Sequence, residues 1–336
     1  MKFIDLFAGI GGFRLGMETA GHQCVFSSEI DKYAQKTYYA NFGEMPSGDI
    51  TKIKVENIPQ HEILCAGFPC QAFSIAGKGL GFKDPRGTLF WEILRIIDFH
   101  KTPILFLENV PRLLTHNTGN SWAIIKQELI SRGYTISHII LNAAQFGVPQ
   151  SRKRLFIIAR LDGIIFTFPT PPNISTVVSD ILESIVNIKY FLTKKALKGI
   201  RKHNVKHKLK GNGFGAKIIT PDKIAGTISA RYYKGGETLI KPKKVANLNK
   251  GGQGSRVYSI KGTSITLSAL GGGQGATTGL YQVETGIRRL TPRECARLQG
   301  FPDIFKIVVS DSQAYKQFGN SVCIKIIEAI AKNIRK

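Results

Sequence analysis

The chain has 336 residues with 43% hydrophobic content, and its 47 Lys and Arg against 23 Asp and Glu give a formal net charge of +24. This hydrophobic content excludes a disordered chain, and no apolar stretch approaches the roughly 18 to 20 residues that a membrane span requires. Five cysteines without C-x-x-C spacing argue against a disulfide framework and against a zinc site, so we expect a cytoplasmic protein without a metal.

Residues 1 to about 168 alternate short apolar strands with amphipathic helical stretches, which is typical of a doubly wound α/β domain. The predicted strands are Lys2 to Phe7, Gln23 to Ser28, Glu62 to Ala66, Ile104 to Glu108, Tyr134 to Leu141 and Arg154 to Arg160. The predicted helices are Gly12 to Ala20, Lys32 to Phe42, Thr88 to His100 and Ser121 to Arg132. The last two strands flank a loop, and we expect them to form an antiparallel pair at the edge of the sheet.

The first strand runs directly into a glycine-rich turn. Gly9, Gly11 and Gly12 are expected to let a ligand approach the backbone where the first helix begins. Arg14 stands where a full G-x-G-x-x-G motif has its third glycine, which weakens a pyrophosphate site and leaves a nucleoside site possible.

Two acidic positions strengthen the prediction of a nucleoside site. Glu29 follows Gly9 by about twenty residues, at the end of the second strand, where an acid commonly accepts hydrogen bonds from ribose hydroxyls. Asp49 and Ile50 offer a further acid and an apolar face for an adenine ring.

A cysteine follows the third predicted strand. Gly67 ends that strand, and Pro69 fixes the backbone just before Cys70. Open α/β sheets place their chemistry in loops of this kind. A nucleophile and a buried packing thiol are equally compatible with this segment alone, because a lone cysteine is a weak signal.

Three charged residues accompany the ends of later strands. Glu108 ends a buried strand, where burial would raise its pKa and let it share a proton with a base ring nitrogen. Arg152 and Arg154 are two apart, so both point to one face of an extended segment and could orient a planar acceptor or a phosphate. A solvated basic turn is the alternative for this pair.

The composition changes after a proline cluster at residues 169–172, which we interpret as a linker. Residues 185–261 contain nineteen Lys or Arg and only two acids, which favours a polyanionic partner, with nucleic acid first. A basic solvated face without a partner is the alternative. A strand is predicted for Thr263 to Leu270, an N-cap at Thr291 and a last amphipathic helix over Ser321 to Ile334.

Six segments of the chain, in this order, resemble the conserved blocks of the bacterial C5-cytosine DNA methyltransferases. They are Asp5-Leu-Phe-Ala-Gly-Ile-Gly-Gly, Gly67-Phe-Pro-Cys-Gln, Glu108-Asn-Val, Gln150-Ser-Arg-Lys-Arg, Arg293-Glu-Cys-Ala-Arg-Leu-Gln-Gly-Phe-Pro and Gln317-Phe-Gly-Asn-Ser-Val. The resemblance implies a Rossmann-like S-adenosylmethionine-dependent α/β domain, residues 1–175 and 318–336. It also implies an inserted, small, mostly β, Gly-rich target-recognition domain with its hinge, residues 176–317.

The resemblance implies a chemical role for each catalytic position. Cys70 would attack C6 of a cytosine flipped out of double-stranded DNA, and Glu108 would hold N3 and the exocyclic amine. Arg152 and Arg154 would fix the ring and the Cys70 loop. C5 would then take the methyl group of S-adenosylmethionine, leaving S-adenosylhomocysteine, and no metal is required.

The resemblance also implies binding residues. Those for the cofactor are Phe7, Gly9, Gly11, Glu29, Ile30, Asp49, Ile50, Pro69, Leu89, Asn320 and Val322. Those for DNA are Gln253, Arg256, Gly271, Gly272 and Gly273. Gln253 and Arg256 are candidates for filling the vacated stack and reading a guanine edge.

Several alternatives remain at this point. The same scaffold could methylate cytosine in tRNA, or the chain could be a catalytically idle DNA-binding relative; a nicotinamide oxidoreductase is the weakest alternative. Residues 251–281 resemble those of relatives that act on GCGC-containing sites in type II restriction-modification systems. We expect a monomer.

Overall fold

The computed structural model describes residues 1–68, 88–193, 195–196, 198–199, 205, 209, 217–219, 222–228, 238–240, 244–247, 256–258 and 288–334. Two compact units make up the chain. Unit 1 comprises Met1–Phe146, Arg152–Asn173 and Ser321–Lys336, and unit 2 comprises Gly147–Ser151 and Ile174–Asn320. Several predicted features lie outside the described residues: Pro69, Cys70, Gln253, Gly271, Gly272, Gly273 and the strand Thr263 to Leu270.

Unit 1 is built on one six-stranded sheet. Its strands are β1 (Lys2–Leu6), β2 (Gln23–Ser28), β3 (Ile63–Gly67), β4 (Ile104–Asn109), β5 (Thr135–Asn142) and β7 (Lys153–Arg160), while β6 (Gln150–Ser151) belongs to unit 2. The order is β2-β1-β3-β4-β7-β5. The first four strands pair in parallel, and β7 is antiparallel to both β4 and β5. The predicted α/β sheet with an antiparallel pair at its edge is therefore confirmed.

Helices cover this sheet because their apolar faces have to be buried. Unit 1 contains α1 (Gly12–Thr19), α2 (Lys32–Phe42), α3 (Thr88–His100), α4 (Asn120–Ile130) and α7 (Ile324–Ile334), and unit 2 contains α5 (Pro292–Leu298) and α6 (Asp311–Asn320). Leu64 of β3 and Leu105 of β4 are fully buried, and they share one core with Phe90 of α3. α7 lies against α1 so closely that a Cβ atom at Gly16 would stand 2.7 Å from Ile327.

Unit 2 contains short strands and a buried ion pair. Its other strands are β8 (Lys217–Ile219), β9 (Ala225–Gly226), β10 (Thr238–Ile240), β11 (Lys244–Asn247), β12 (Arg256–Tyr258) and β13 (Arg288–Arg289). Thr291 caps α5 as predicted, through a capping box in which Glu294 accepts from the Thr291 backbone N–H at 2.8 Å. The same carboxylate pairs with Arg288 at 2.8 Å, and both side chains are fully buried. The Glu294 carboxylate and the guanidinium nitrogens Nη1 and Nη2 of Arg288 are thus paired with each other, as a buried ion pair requires.

Two absences hold within the described part of the chain. No helix there combines the length and the apolar character needed to cross a membrane. No group of three or more His, Cys, Asp or Glu side chains is placed to hold a metal ion in those ranges.

A buried histidine predicts how the stability of unit 1 depends on pH. The ring of His61 is hydrogen-bonded to the Pro59 carbonyl at 2.8 Å and to the Thr102 hydroxyl at 2.9 Å. Burial lowers the pKa of His61 to about 4. The unfolded chain, with a histidine pKa near 6.5, therefore binds this proton first, and the free energy of unfolding should fall by about 1 to 3 kcal/mol as the pH drops from 6.5 to 4. Urea denaturation at a series of pH values measures this slope.

The substitution His61→Gln isolates the contribution of this ring, because glutamine does not titrate in that range. The variant should lose part of the pH slope between 6.5 and 4, whatever its stability at neutral pH. His116→Gln is the matched control, since His116 also bonds a hydroxyl, that of Ser121 at 2.7 Å, in a more exposed position. Equal slopes for wild type and His61→Gln would contradict the assignment.

Candidate active site

The turn after β1 combines an open backbone with tight packing. Phe7, Gly9 and Gly11 have positive φ angles of 57°, 57° and 85°, and such a conformation is rare for a bulky side chain such as Phe7. A Cβ atom at Gly9 would meet nothing within 4 Å, whereas one at Gly11 would overlap the Phe42 ring. At Gly12 it would stand 2.6 Å from the Ser321 hydroxyl. The open approach predicted for all three glycines is therefore found only at Gly9, and the other two make room for neighbouring side chains.

Glu29 lies directly beside this turn. Its carboxylate accepts hydrogen bonds from the backbone N–H of Gly9 and from that of Asp31, each at 2.7 Å. Burial raises the pKa of Glu29, and these two N–H groups oppose the shift. Each carboxylate oxygen has a second lone pair, so the group can still accept hydrogen bonds from ligand hydroxyls.

Arg14, at the place of the missing third glycine, is directed toward α2. Its guanidinium lies 4.5 Å from the centre of the Phe42 ring and donates to the Tyr38 hydroxyl at 3.1 Å. It also pairs with Glu18 at 2.9 Å and Glu44 at 2.6 Å. Arg14 therefore joins α1 to α2 and the segment after it, and its charge is satisfied without a ligand phosphate.

The segment after α2 carries the second predicted acid. Asp49 caps a one-turn helix by accepting from the Thr51 backbone N–H at 3.1 Å. The side chain of Ile50 is only 3% exposed, which leaves little of the predicted apolar face for a ligand. Arg95 donates to the Ile50 carbonyl at 3.0 Å and so fixes this backbone. Ile30, by contrast, is 71% exposed.

A carboxylate and a guanidinium meet at the end of β4. Nε of Arg154 lies 3.1 Å from Oε1 of Glu108, and both side chains are largely buried. The Glu108 backbone is in register with Gly67, the last residue of β3. Burial raises the pKa of Glu108, while the positive charges of Arg154 and Arg152 lower it. The structure thus brings the three predicted charged residues together.

Arg152 makes different contacts. Its side chain is almost fully buried, and its Nη2 donates to the Ser321 carbonyl at 2.7 Å. Its backbone N–H donates to the Asn142 side chain at 2.9 Å. Burial and the charge of Arg154 lower the pKa of Arg152, and the charge of Glu108 opposes them.

Asn109 is a residue whose contact the sequence did not predict. Its side-chain amide donates to the Phe68 carbonyl at 2.9 Å and accepts from the Val110 N–H at 2.9 Å. Phe68 is the last described residue before Pro69 and Cys70. Asn109 therefore fixes the backbone immediately before Pro69 and Cys70. The Glu-Asn-Val block contains this residue, but nothing in the block indicates a partner on the neighbouring strand.

The remaining predicted residues are more dispersed. Leu89 lies half-buried on α3, and Val322 is buried in unit 1. Asn320 is exposed at the end of α6 in unit 2. Arg256 begins β12, where only the backbone is described.

The residues around the first turn fit an adenosine group. The Glu29 carboxylate can accept from ribose hydroxyls, and the open backbone at Gly9 lets a ligand come close. Arg14, the basic residue at the third-glycine place, is directed to α2, so the turn offers no dedicated partner for a pyrophosphate at that position. This favours a nucleoside cofactor without phosphates over a dinucleotide.

The fold and this site define a Rossmann-like methyltransferase. Among solved structures, a methyltransferase of Entamoeba histolytica, EhMeth, covers 100% of the chain and 99% of its own, with a TM-score of 0.74 and 22% identity, which shows the shared fold. Type II methyltransferase M.HhaI of Haemophilus parahaemolyticus is 44% identical over 338 aligned positions, 99% of this chain and 94% of the relative. M.DsaV of Dactylococcopsis salina is 43% identical, over 99% of this chain and 86% of the relative.

The family model described as C-5 cytosine-specific DNA methylase matches residues 1–336. The chain belongs to this family, and its activity is that of a DNA (cytosine-5-)-methyltransferase with S-adenosylmethionine as methyl donor. The predicted family, fold class, cofactor and principal function are thereby confirmed.

Proposed function

We propose that the chain methylates cytosine within a specific duplex sequence by covalent catalysis through Cys70. The contact between Glu108 and Arg154 at the end of β4, in register with Gly67, is the observation that carries the proposal. Cys70 follows Gly67 by three residues, so the chain leads from this strand end to the thiol. The ends of adjacent parallel strands are where open α/β sheets place their chemistry.

The proposed steps of methyl transfer follow from the chemistry of the cytosine ring. The Cys70 thiolate adds to C6, and Glu108 gives a proton to N3 as negative charge develops on the ring. C5 becomes enamine-like and takes the methyl group, which S-adenosylmethionine supplies when bound. Loss of the C5 proton to water or another base, followed by elimination of the Cys70 thiolate and return of the N3 proton to Glu108, releases 5-methylcytosine.

The surrounding residues have supporting roles in this proposal. Arg154 holds Glu108 in place through their contact at 3.1 Å. Glu29 and Asp49 would hold the cofactor's ribose and adenine, and Phe7 would stack on the adenine. Asn109 holds the Phe68 carbonyl, two residues before Cys70 in the sequence. Val322 completes the cofactor site.

Target recognition is assigned to residues 176–317. Flipping a cytosine out of a duplex costs a few kcal/mol, so contacts from this domain have to offset it. Gln253 is proposed to fill the vacated stack, Arg256 to read a guanine edge, and Gly271, Gly272 and Gly273 to let the backbone approach DNA. We propose a GCGC-containing site, from the likeness of residues 251–281 to relatives of that specificity.

We infer the biological role from the relatives that the chain resembles. Two of them are named type II methyltransferases, which supports a role in a bacterial restriction-modification system. The free cysteines of the described chain support a reducing cytoplasm. We propose a monomer, because one chain carries every residue that the mechanism uses.

Transfer of a radiolabelled methyl group from S-adenosylmethionine tests this function. Duplex DNA should be labelled and tRNA should not, because the large, basic, Gly-rich insert favours a DNA duplex as substrate. Bisulfite sequencing of DNA from cells that express the protein then maps the modified cytosine, with a GCGC-containing site expected.

A duplex that already carries 5-methylcytosine at the mapped position is the control, and it should accept no label. Label on tRNA alone would support the RNA alternative, and no label on either substrate would support the idle DNA-binding alternative. Methylation at an unrelated sequence would overturn only the proposed site.

A further inference from the structure

Arg152 and Arg154 are close in sequence but differ in their partners. Arg154 contacts Glu108 at 3.1 Å, on the side assigned to the cytosine. Arg152 directs Nη2 to the Ser321 carbonyl at 2.7 Å, across 169 positions of sequence. The charges of both arginines act on Glu108, but the hydrogen bond to Ser321 is made by Arg152 and the close contact with the Glu108 carboxylate by Arg154, so their described partners differ.

The Ser321–Val322 segment also touches the cofactor turn. A Cβ atom added at Gly12 would stand 2.6 Å from the Ser321 hydroxyl oxygen and 2.9 Å from Cγ2 of Val322. Only a glycine at the start of α1 lets the two segments come this close. The segment is therefore in contact with Gly12 on the cofactor side and with Arg152 on the base side.

Because the Arg152 side chain is buried, its charged group requires a hydrogen-bond acceptor. The side chain is 2% exposed, and the charged atom Nη2 needs an acceptor in that environment. The Ser321 carbonyl supplies one. Two of the three segments of unit 1 begin at Arg152 and at Ser321. This hydrogen bond therefore joins the first residues of these two segments.

We propose that Arg152 is a positioning residue that holds Ser321 and Val322 against Gly12, and that cofactor binding and cytosine capture are coupled through this contact. The inference rests on the proposed function and divides the roles of the arginines. Arg154 acts on Glu108 and the base. Arg152 acts on the cofactor side through the Ser321 carbonyl.

Binding of S-adenosylhomocysteine in the absence of DNA tests the first half, since it requires no methyl transfer. Lysine keeps the charge but lacks the planar fork of donors. By isothermal titration calorimetry, Arg152→Lys should raise the Kd about tenfold, the loss expected for one charge-assisted hydrogen bond. Arg154→Lys should leave this Kd within about twofold, since its contact is on the base side.

Coupling is measured by repeating the titration with a duplex that carries the mapped target. In the wild type the DNA should tighten S-adenosylhomocysteine binding, and linkage requires the reciprocal effect on DNA. The ratio of the two Kd values should approach one in Arg152→Lys. Arg154→Lys is expected to weaken base capture itself, which kcat reports. In this variant the ratio of the two Kd values should fall only in proportion to that loss.

Gly12→Ala is a second variant that perturbs the same contact from the other side. It should raise the Kd for S-adenosylhomocysteine and reduce the coupling ratio as Arg152→Lys does. Gly16→Ala is the matched control: its Cβ atom would crowd Ile327 at 2.7 Å and so disturbs the packing of α1 on α7 without touching Ser321. It should keep the coupling ratio.

An unchanged Kd and an unchanged coupling ratio in Arg152→Lys would overturn the inference, as would the same loss of coupling in Gly16→Ala. A wild type that binds S-adenosylhomocysteine but methylates no DNA would instead contradict the proposed function, and the cofactor titrations would still decide the role of Arg152.

Discussion

Replacing Cys70 with alanine is expected to lower the rate of methyl transfer about a thousandfold or more, because the covalent route is lost when the nucleophile is removed. The other cysteines cannot take its place. Burial raises the pKa of Cys24 to about 12 and also raises that of Cys65 and of Cys323, so these groups remain thiols near neutral pH. Cys295 is fully buried. Addition to cytosine requires a thiolate, so activity should depend on Cys70 alone.

Radiolabelled methyl transfer to the mapped duplex measures this loss, and Cys24→Ser is the matched control. The Cys24 side chain is half-buried and bonds the Phe26 carbonyl at 3.5 Å, and the proposed mechanism assigns it no role. This variant should retain most of the activity. Cys70→Ala should still bind S-adenosylhomocysteine, since no step of cofactor binding needs the thiol.

A duplex with 5-fluorocytosine at the target gives an independent readout. After methyl transfer C5 carries fluorine in place of the proton, so elimination is blocked and the bond between Cys70 and C6 persists. The wild type should form a complex that survives denaturation, and Cys70→Ala should not. A persistent complex in the alanine variant would refute the assignment of the nucleophile.

The central strands of the sheet, β1, β3 and β4, were predictable because they are buried on both faces. The segments that form β3 and β4 are continuous apolar runs of strand length, as parallel strands in α/β proteins commonly are. Their predicted bounds, Glu62 to Ala66 and Ile104 to Glu108, differ from the observed Ile63–Gly67 and Ile104–Asn109 by a single residue at the ends. Burial of apolar side chains determines where these strands lie, and a continuous apolar run in the sequence indicates that burial.

The contacts within the site were less accessible from the sequence. Asn109 bonds Phe68 across 41 positions, and Arg152 bonds Ser321 across 169. A backbone carbonyl is available at every residue, so no residue type marks it as a partner. The motif identified Arg152 and Arg154 as a pair, but only the tertiary structure separates their partners.

The role of a glycine in the first turn also could not be predicted from the sequence. A glycine-rich turn predicts freedom of the backbone, but the absent side chain can serve a ligand or a neighbouring segment equally well. Gly9 is open, whereas Gly12 accommodates Ser321. That difference depends on the end of the chain folding back onto its beginning, which the turn itself cannot reveal.

Glu108→Gln is expected to lower kcat/KM for DNA about a hundredfold to a thousandfold, the usual effect of losing one group that stabilises developing charge. Glutamine preserves the size of the side chain and can still accept from Arg154, but it cannot give a proton to N3. The affinity for S-adenosylhomocysteine should stay unchanged, because Glu108 is not among the cofactor residues. Glu56→Gln, an exposed glutamate outside the proposed site, is the control and should behave as the wild type.

The pH profile makes this prediction specific to proton donation. Burial raises the pKa of Glu108, so the protonated, donating form persists to higher pH than for an ordinary glutamate. As the pH increases, the Cys70 thiolate becomes more abundant and protonated Glu108 less so, and kcat/KM of the wild type should therefore rise and then decline. In Glu108→Gln the decline at high pH should disappear, because glutamine has no acidic proton to lose in this range. A variant that keeps the full descending limb would show that another group supplies the proton, and Glu108 would then be reduced to holding the exocyclic amine.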